Sequence, residues 1–227
     1  MGSSAWPEFM VHDPVAMANW GTIMGDFAQD QLSILIDNEI AAVMNLVPIH
    51  LDLEFSDLPD RGVDWAVEKA VADFEASVRP NALVGLQVVV KRSFRGRNLS
   101  ETATQAIVEH AAQRGCEHVL LPVRPSNKHE FPLIPMEQYI TWRNKEDLPF
   151  DGWLRVHEKL GGETIGVCHQ SMIIPGTVAE WEAWTGQRFP DTGAYIVPFA
   201  LNPIEIDVER DLGQYVEPNV WVVHKVG

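Results

Sequence analysis

Cysteine is nearly missing: Cys116 and Cys168 are the only two in 227 residues. Two thiols cannot build a disulfide framework and fit no paired metal-ligand spacing. No metal is therefore expected, and the expected compartment is a reducing cytoplasm. Basic residues are scarce too, 17 Lys and Arg against 32 Asp and Glu, leaving a formal net charge of −15. That balance argues against a nucleic-acid binder, which needs a basic face, and against docking on an anionic membrane. It suits a cationic small molecule. No run of 18 uncharged apolar residues occurs, so no spanning helix is expected. Residues 1–14 carry neither a basic stretch nor an apolar core, so no secretory signal is expected there. The chain has no Gly-x-Ser-x-Gly elbow, no Walker A loop and no Gly-x-Gly-x-x-Gly.

What is present is the composition of a globular protein: 46% hydrophobic residues, eight Trp and nine Phe. The aromatic and Met-rich residues 5–29 are expected to include a helix over 15–27. Residues 31–36 and 40–47, joined by the polar Asp37-Asn38-Glu39, read as a hairpin that Pro48 ends. An acidic stretch, 51–75, holds Glu54 and a helical pattern from residue 63 to 77 with Asp64 in its first turn. Residues 83–90 are almost continuously apolar, which suits a central strand buried on both faces. A helix follows over 99–114, with Asn98 as N-cap, Glu101 completing a capping box and Gly115 just past its end. Residues 118–123 are the next strand, and strand–helix–strand implies a right-handed crossover with parallel strands. After an irregular insertion at 128–152, a short helix is expected at 153–160 and a strand at 164–174. A helix at 178–184 and strand-like runs at 195–199, 204–207 and 220–224 complete the chain. The expectation is one domain over 1–227.

The chemistry concentrates at residues 88–100. Four of the 17 basic residues fall between Lys91 and Arg97, with no acid among them. A buried strand there feeds a loop that opens a helix, whose free N–H groups and partial positive charge suit a pyrophosphate. Arg95 and Arg97 flank Gly96, where a ligand can approach the backbone.

This segment resembles the loop of the GNAT family of N-acetyltransferases, Arg/Gln-x-x-Gly-x-Gly/Ala. Here it stands as Arg95-Gly96-Arg97-Asn98-Leu99-Ser100, with Asn98 at the family's first glycine and Ser100 at its last small residue. The strand ending in Asn127 and the helix Leu154-Arg155-Val156-His157-Glu158-Lys159-Leu160-Gly161 match two further family segments in order, with His157 where the family has Tyr. The resemblance implies an α/β fold, a mixed central sheet flanked by helices, here with insertions and a strand-rich C-terminal portion. It implies transfer of an acetyl or other acyl group from acyl-CoA to an amine of a small cationic acceptor, by direct attack. The backbone of Val88, Val89 and Val90 would pair with the pantetheine arm, and Asn127 would lie near it. The amides of Arg95, Gly96, Arg97, Asn98, Leu99 and Ser100 would hold the pyrophosphate. His157 is the candidate general acid, with Tyr139 in reserve, and Glu54 is the candidate base. Two alternatives stand beside this reading. One is a decayed module that binds CoA or a carrier protein. The other is a GNAT-fold enzyme that uses a carrier-protein thioester, decarboxylation included.

Overall fold

The computed structural model describes residues 6–227; residue 5 of the expected N-terminal segment lies outside them. The Asp13 carboxylate accepts the Ala16 N–H at 2.7 Å, and Pro14 stands at the first helical position, so helix α1 (Pro14–Gly25) begins there. Asp37 and Asn38 both take positive φ, 52° and 62°, the two-residue turn whose twist matches that of paired strands. It joins β1 (Gln31–Ile36) to β2 (Glu39–Ile49). Pro48 does not end β2. Pairing with β1 stops at Asn45, so the edge that Pro48 leaves without a donor has no strand beside it.

The acidic stretch yields α2 (Gly62–Glu75). Its N-terminus is capped from elsewhere in the chain: the Val63 N–H donates to the Ser171 hydroxyl at 3.0 Å. The β3 (Ala82–Val90), α3 (Leu99–Gln113) and β4 (His118–Val123) crossover follows as expected, with β3 and β4 parallel. Gly115, at φ 70°, closes α3 with bonds from Gly115 N–H to Ala112 C=O and from Cys116 N–H to Ala111 C=O. The capping box does not form: Asn98 is left-handed and its side chain caps nothing. The insertion carries α4 (Met136–Tyr139), and α5 (Gly152–Lys159) is capped by Asp151 Oδ1. The remainder comprises β5 (Glu163–Gly176), α6 (Val178–Thr185), β6 (Gly193–Tyr195), β7 (Ile204–Asp207) and β8 (Leu212–Lys225).

Two late strands differ from expectation. β6 stops at Tyr195 because residues 197–200 turn, with Phe199 at φ 70°. β8 begins well before residue 220, because Pro218 lies opposite a bulge of β5: Cys168 pairs with Asn219 and Met172 with Glu217. A proline there interrupts no ladder bond.

The sheet order is β1-β2-β3-β4-β8-β7-β6, and β5 pairs with the other edge of β8. β4 and β7 share one edge of β8, at residues 220–225 and 212–214 respectively, leaving 215–219 unpaired on that side. Alternate residues of the central strands face opposite cores. Leu83 and Leu121 pack with Ile107 of α3 and Leu154 of α5, whereas Val84 and Leu120 pack with Ile23 of α1 and Val67 of α2.

Gly85 sits where β3 and β4 begin to separate. A Cβ there would meet Leu121 Cδ2 at 3.0 Å and Leu46 Cδ2 at 3.4 Å. Gly85→Ala is expected to cost about 1–3 kcal/mol by overpacking. Urea unfolding checks this, and an unchanged midpoint would show that Leu121 yields freely.

Candidate active site

β3 and β4 pair only at Ala82↔His118, Leu83↔Val119 and Val84↔Leu120. Beyond these positions the strands part, and a cleft of about 1050 Å³ is lined by residues 85–90 of β3, 121–123 of β4 and the apolar face of α1. Only residues 82–85 of β3 are buried; residues 86–90 are half-buried, because one of their sides faces this cleft rather than a strand. β3 also bulges here. Asn45 pairs with Gln87 and Leu46 with Gly85, leaving Leu86 unmatched.

Amide side chains satisfy one another across the bulge. Gln87 Nε2 donates to Asn45 Oδ1 at 2.6 Å, and Asn45 Nδ2 to Gln31 Oε1 at 2.9 Å. Gln31 Nε2 in turn donates to the carbonyls of Phe27 and Leu46. Trp6 extends the chain into the cleft, its Nε1 donating to Gln87 Oε1 at 2.7 Å. Polar residues inside the apolar runs 40–47 and 83–90 were the visible signal for this network.

The basic loop has the geometry of an anion cradle. Gly96 and Asn98 take positive φ, 78° and 56°. The N–H groups of residues 96–100 make no hydrogen bond among the described residues. Asn98 fits here for a physical reason: it is among the few residues besides glycine that tolerate the left-handed region. Arg95 and Ser100 line the cleft, while Arg97 lies over the Phe94 ring at 5.1 Å. Phe94, packed with Ala41 and Leu99, anchors the loop. Val88, Val89 and Val90 line the cleft as well. Gly96, Arg97, Asn98 and Leu99 are not among its lining residues.

The expected proton carriers are not brought to this cleft. His157 lies on α5 one turn beyond Trp153, which does line it. His157 is 1% exposed, and its Nδ1 is 3.0 Å from Nε2 of His224, which pairs with Val119 at the far end of β4. Burial, then His224, pushes its pKa down to about 3, so it is a neutral packed residue rather than a general acid. Glu54 is exposed and follows the end of β2 that pairs with Ala82, away from the parting of the strands. Tyr139 is buried and donates to Asp151 Oδ2 at 2.9 Å, and burial raises its pKa. Asn127 does not line the cleft; its backbone N–H donates to the same Asp151 oxygen at 2.8 Å. Asp151 thus ties the insertion to α5 and to the end of β4.

Other buried groups had no clear signature in the sequence. Asp64, expected as an ordinary helix-start carboxylate, is buried close to the buried Asp13 carboxyl. Burial first, then the Asp13 charge, pushes Asp64 up to about 8, and Asp13 is raised as well by burial. The two carboxyls thus meet where α1 packs against α2. Glu217, in the unpaired stretch of β8, meets Arg124 just past β4. The irregular spacing around Pro218 hid both the strand and its acid.

The chain belongs to the acetyltransferase (GNAT) family, whose model matches residues 6–134. It is 32% identical to arginine N-acetyltransferase avaD of Aspergillus versicolor, over 99% of this chain and 86% of that protein. Two solved structures share the fold at 14% identity. The loading GNATL domain of CurA from Lyngbya majuscula superposes with a TM-score of 0.58, covering 96% of this chain and 92% of that one. The GphF GNAT-like decarboxylase, solved with isobutyryl-CoA, gives 0.55, covering 98% and 94%. The protein is accordingly an acyltransferase that acts on an amine.

The Asp13–Asp64 pair has a defined pH signature. A carboxyl whose pKa is higher folded than unfolded contributes stability at low pH that is lost as pH rises through the folded value. Stability is therefore expected to fall between the ordinary 3.8 and about 8. Asp64→Asn removes that carboxyl and is expected to flatten that fall. Urea titrations at several pH values check this; an equally steep decline in the variant would contradict a raised Asp64 pKa as its source. A second check concerns the loop. Arg95→Ala with Arg97→Ala is expected to weaken acetyl-CoA binding by about 1–3 kcal/mol, whereas Asn98→Gly is tolerated. Calorimetry showing unchanged affinity in the double variant would remove the phosphate assignment.

Proposed function

We propose that the protein transfers an acetyl or other small acyl group from acyl-CoA to an amine of a small cationic acceptor of the arginine class, in a reducing, cytoplasmic setting. The observation that carries this reading is the coincidence of two features. One is near full-length similarity to an arginine N-acetyltransferase; the other is a cleft with an anion cradle at one end. Bound acyl-CoA supplies the activated thioester, which the acceptor amine attacks directly.

The residues present fit such a donor. The free edge of residues 86–90 offers backbone N–H and C=O groups to the amides of a pantetheine arm, and the free amides of 96–100 offer donors to a pyrophosphate. The apolar face of α1, with Met17, Trp20 and Ile23, gives the cleft an apolar wall. Among the described residues, His129 is the one histidine that lines the cleft, beside Phe199 at 5.4 Å between ring centres. Histidine is the side chain suited to moving a proton near neutrality. We assign it the role first expected of His157.

A thiol-release assay with acetyl-CoA and a panel of cationic amines including arginine tests the reaction. Arginine is expected to drive CoA release together with an equal amount of acetylated product. Binding of acetyl-CoA without amine-dependent release would leave a binding module. His129→Phe is expected to lower turnover about 10²–10⁴-fold with little change in acetyl-CoA affinity. Parental turnover in that variant would mean that the thiolate leaves without help from His129.

A further inference from the structure

The β4 side of the cleft contains a second basic feature that the donor does not account for. It forms where β8 has no strand partner between β4 and β7. Glu217 is 0% exposed there, with both oxygens engaged. Oε1 lies 2.6 Å from Arg124 Nε and 3.3 Å from Asn219 Nδ2, and Oε2 accepts the Tyr215 hydroxyl. The Tyr215 oxygen accepts the Leu201 N–H at 2.8 Å. Glu217 therefore has no free oxygen to offer a cation in the cleft.

Arg124 is differently placed. Its Nη2 donates to the Phe199 carbonyl at 2.6 Å, and its Nε faces Glu217 closely, although that N–H is not aimed squarely at the oxygen. Nη1 has no carbonyl or carboxylate partner among the described residues. The side chain keeps 18% of its surface exposed and lines the cleft, with Trp6 across from it at 5.9 Å. Behind it Lys128 is wholly buried, its ammonium donating to the carbonyls of Phe131 and Leu201. Burial lowers the Lys128 pKa to about 8, so the ammonium is still largely charged at neutrality. Glu217 is the carboxylate paired with Arg124, while Lys128 also feels the charge of Glu137. Of the two cations Arg124 is the one that lines the cleft, and a fixed guanidinium with an unpartnered Nη1 there suits an anion.

We propose that Arg124 forms a carboxylate-binding subsite in the cleft, selecting substrates that carry a carboxylate beside the reacting group. The planar guanidinium suits a carboxylate, and its buried contacts hold it in place before the ligand arrives. Resting on the acyltransfer reading, the carboxylate is that of an amino-acid acceptor. The same chemistry could come from a dicarboxylic acyl thioester, and the experiment separates the two.

Calorimetry on the full chain with saturating CoA compares L-arginine with agmatine, which has the same guanidinium and amine but no carboxylate. A second arm without CoA compares malonyl-CoA with acetyl-CoA. Both arms use the parent, Arg124→Lys and the neutral pair Arg124→Gln with Glu217→Gln. In the parent, arginine is expected to bind at least about tenfold more tightly than agmatine, the size of one charge-assisted hydrogen bond. That preference should collapse in both variants while agmatine affinity stays within about threefold. An Arg124-dependent preference for malonyl-CoA instead would keep the subsite and assign the carboxylate to the donor. Equal affinities in both parental pairs, absence of arginine binding with no malonyl preference, or a preference that survives both variants would overturn the proposal. The parental comparison stands even if a variant fails to fold. Arginine preferred over agmatine without amine-dependent thiol release would refute the acyltransfer reading alone, and release with equal affinities would refute the subsite alone.

Discussion

The early end of pairing between β3 and β4 is the constraint on which the site depends. Three residue pairs hold the strands together, and then Leu121 enters the space left by the missing side chain of Gly85. Below that point the strands belong to the core; above it their edges are free and a cleft opens. The bulge at Leu86 lies at the same level and directs Gln87 into a chain of amides rather than into apolar packing. A strand edge without a partner is normally a liability. Here it is enclosed by α1, by Trp6 and by the loop that leads into α3, so it is available to a ligand and shielded from other chains.

Charge is distributed around the cleft with the opposite sign to the chain as a whole. The lining includes Arg95, past the end of β3, and Arg124, past the end of β4, and its buried acid, Glu217, is already engaged. The acidic residues of the 51–75 stretch are mostly on the outer surface or, as with Asp64, buried with a raised pKa. The negative balance thus acts at long range, where it can draw in a cation. Inside the cleft the short-range contacts favour anions, on the proposals above a phosphate at the loop and a carboxylate at Arg124.

The N-terminal segment does more than cover the sheet. Asp13 caps α1 and sets its carboxyl close to that of Asp64 of α2, while Trp6 links Gln87 of β3 to Arg124 beyond β4. These contacts join elements far apart in sequence to the two sides of the cleft. His157 shows the converse. The helix that carries it sits beside the cleft, but a single turn of α5 separates Trp153, which lines the site, from a histidine locked against His224.

Local sequence determined much of the framework. The Asp37-Asn38 turn, the helix from Leu99 closed by Gly115, the parallel strands β3 and β4 and the basic loop each follow from properties of neighbouring residues and are found where expected, whereas β2, β6 and β8 run to other bounds. The family motif at residues 95–100 was legible for the same reason, since a left-handed Asn98 before a helix is a local arrangement. The proton carriers were not legible. Whether Glu54, His157 or His129 reaches the cleft depends on which ends of β2, β4 and α5 lie next to the point where β3 and β4 part. Nor was the state of Asp64, Arg124, Lys128 and Glu217, because burial and partners set the protonation and pairing of an ionisable side chain. Those partners come from residues tens of positions away, so tertiary packing alone decides them.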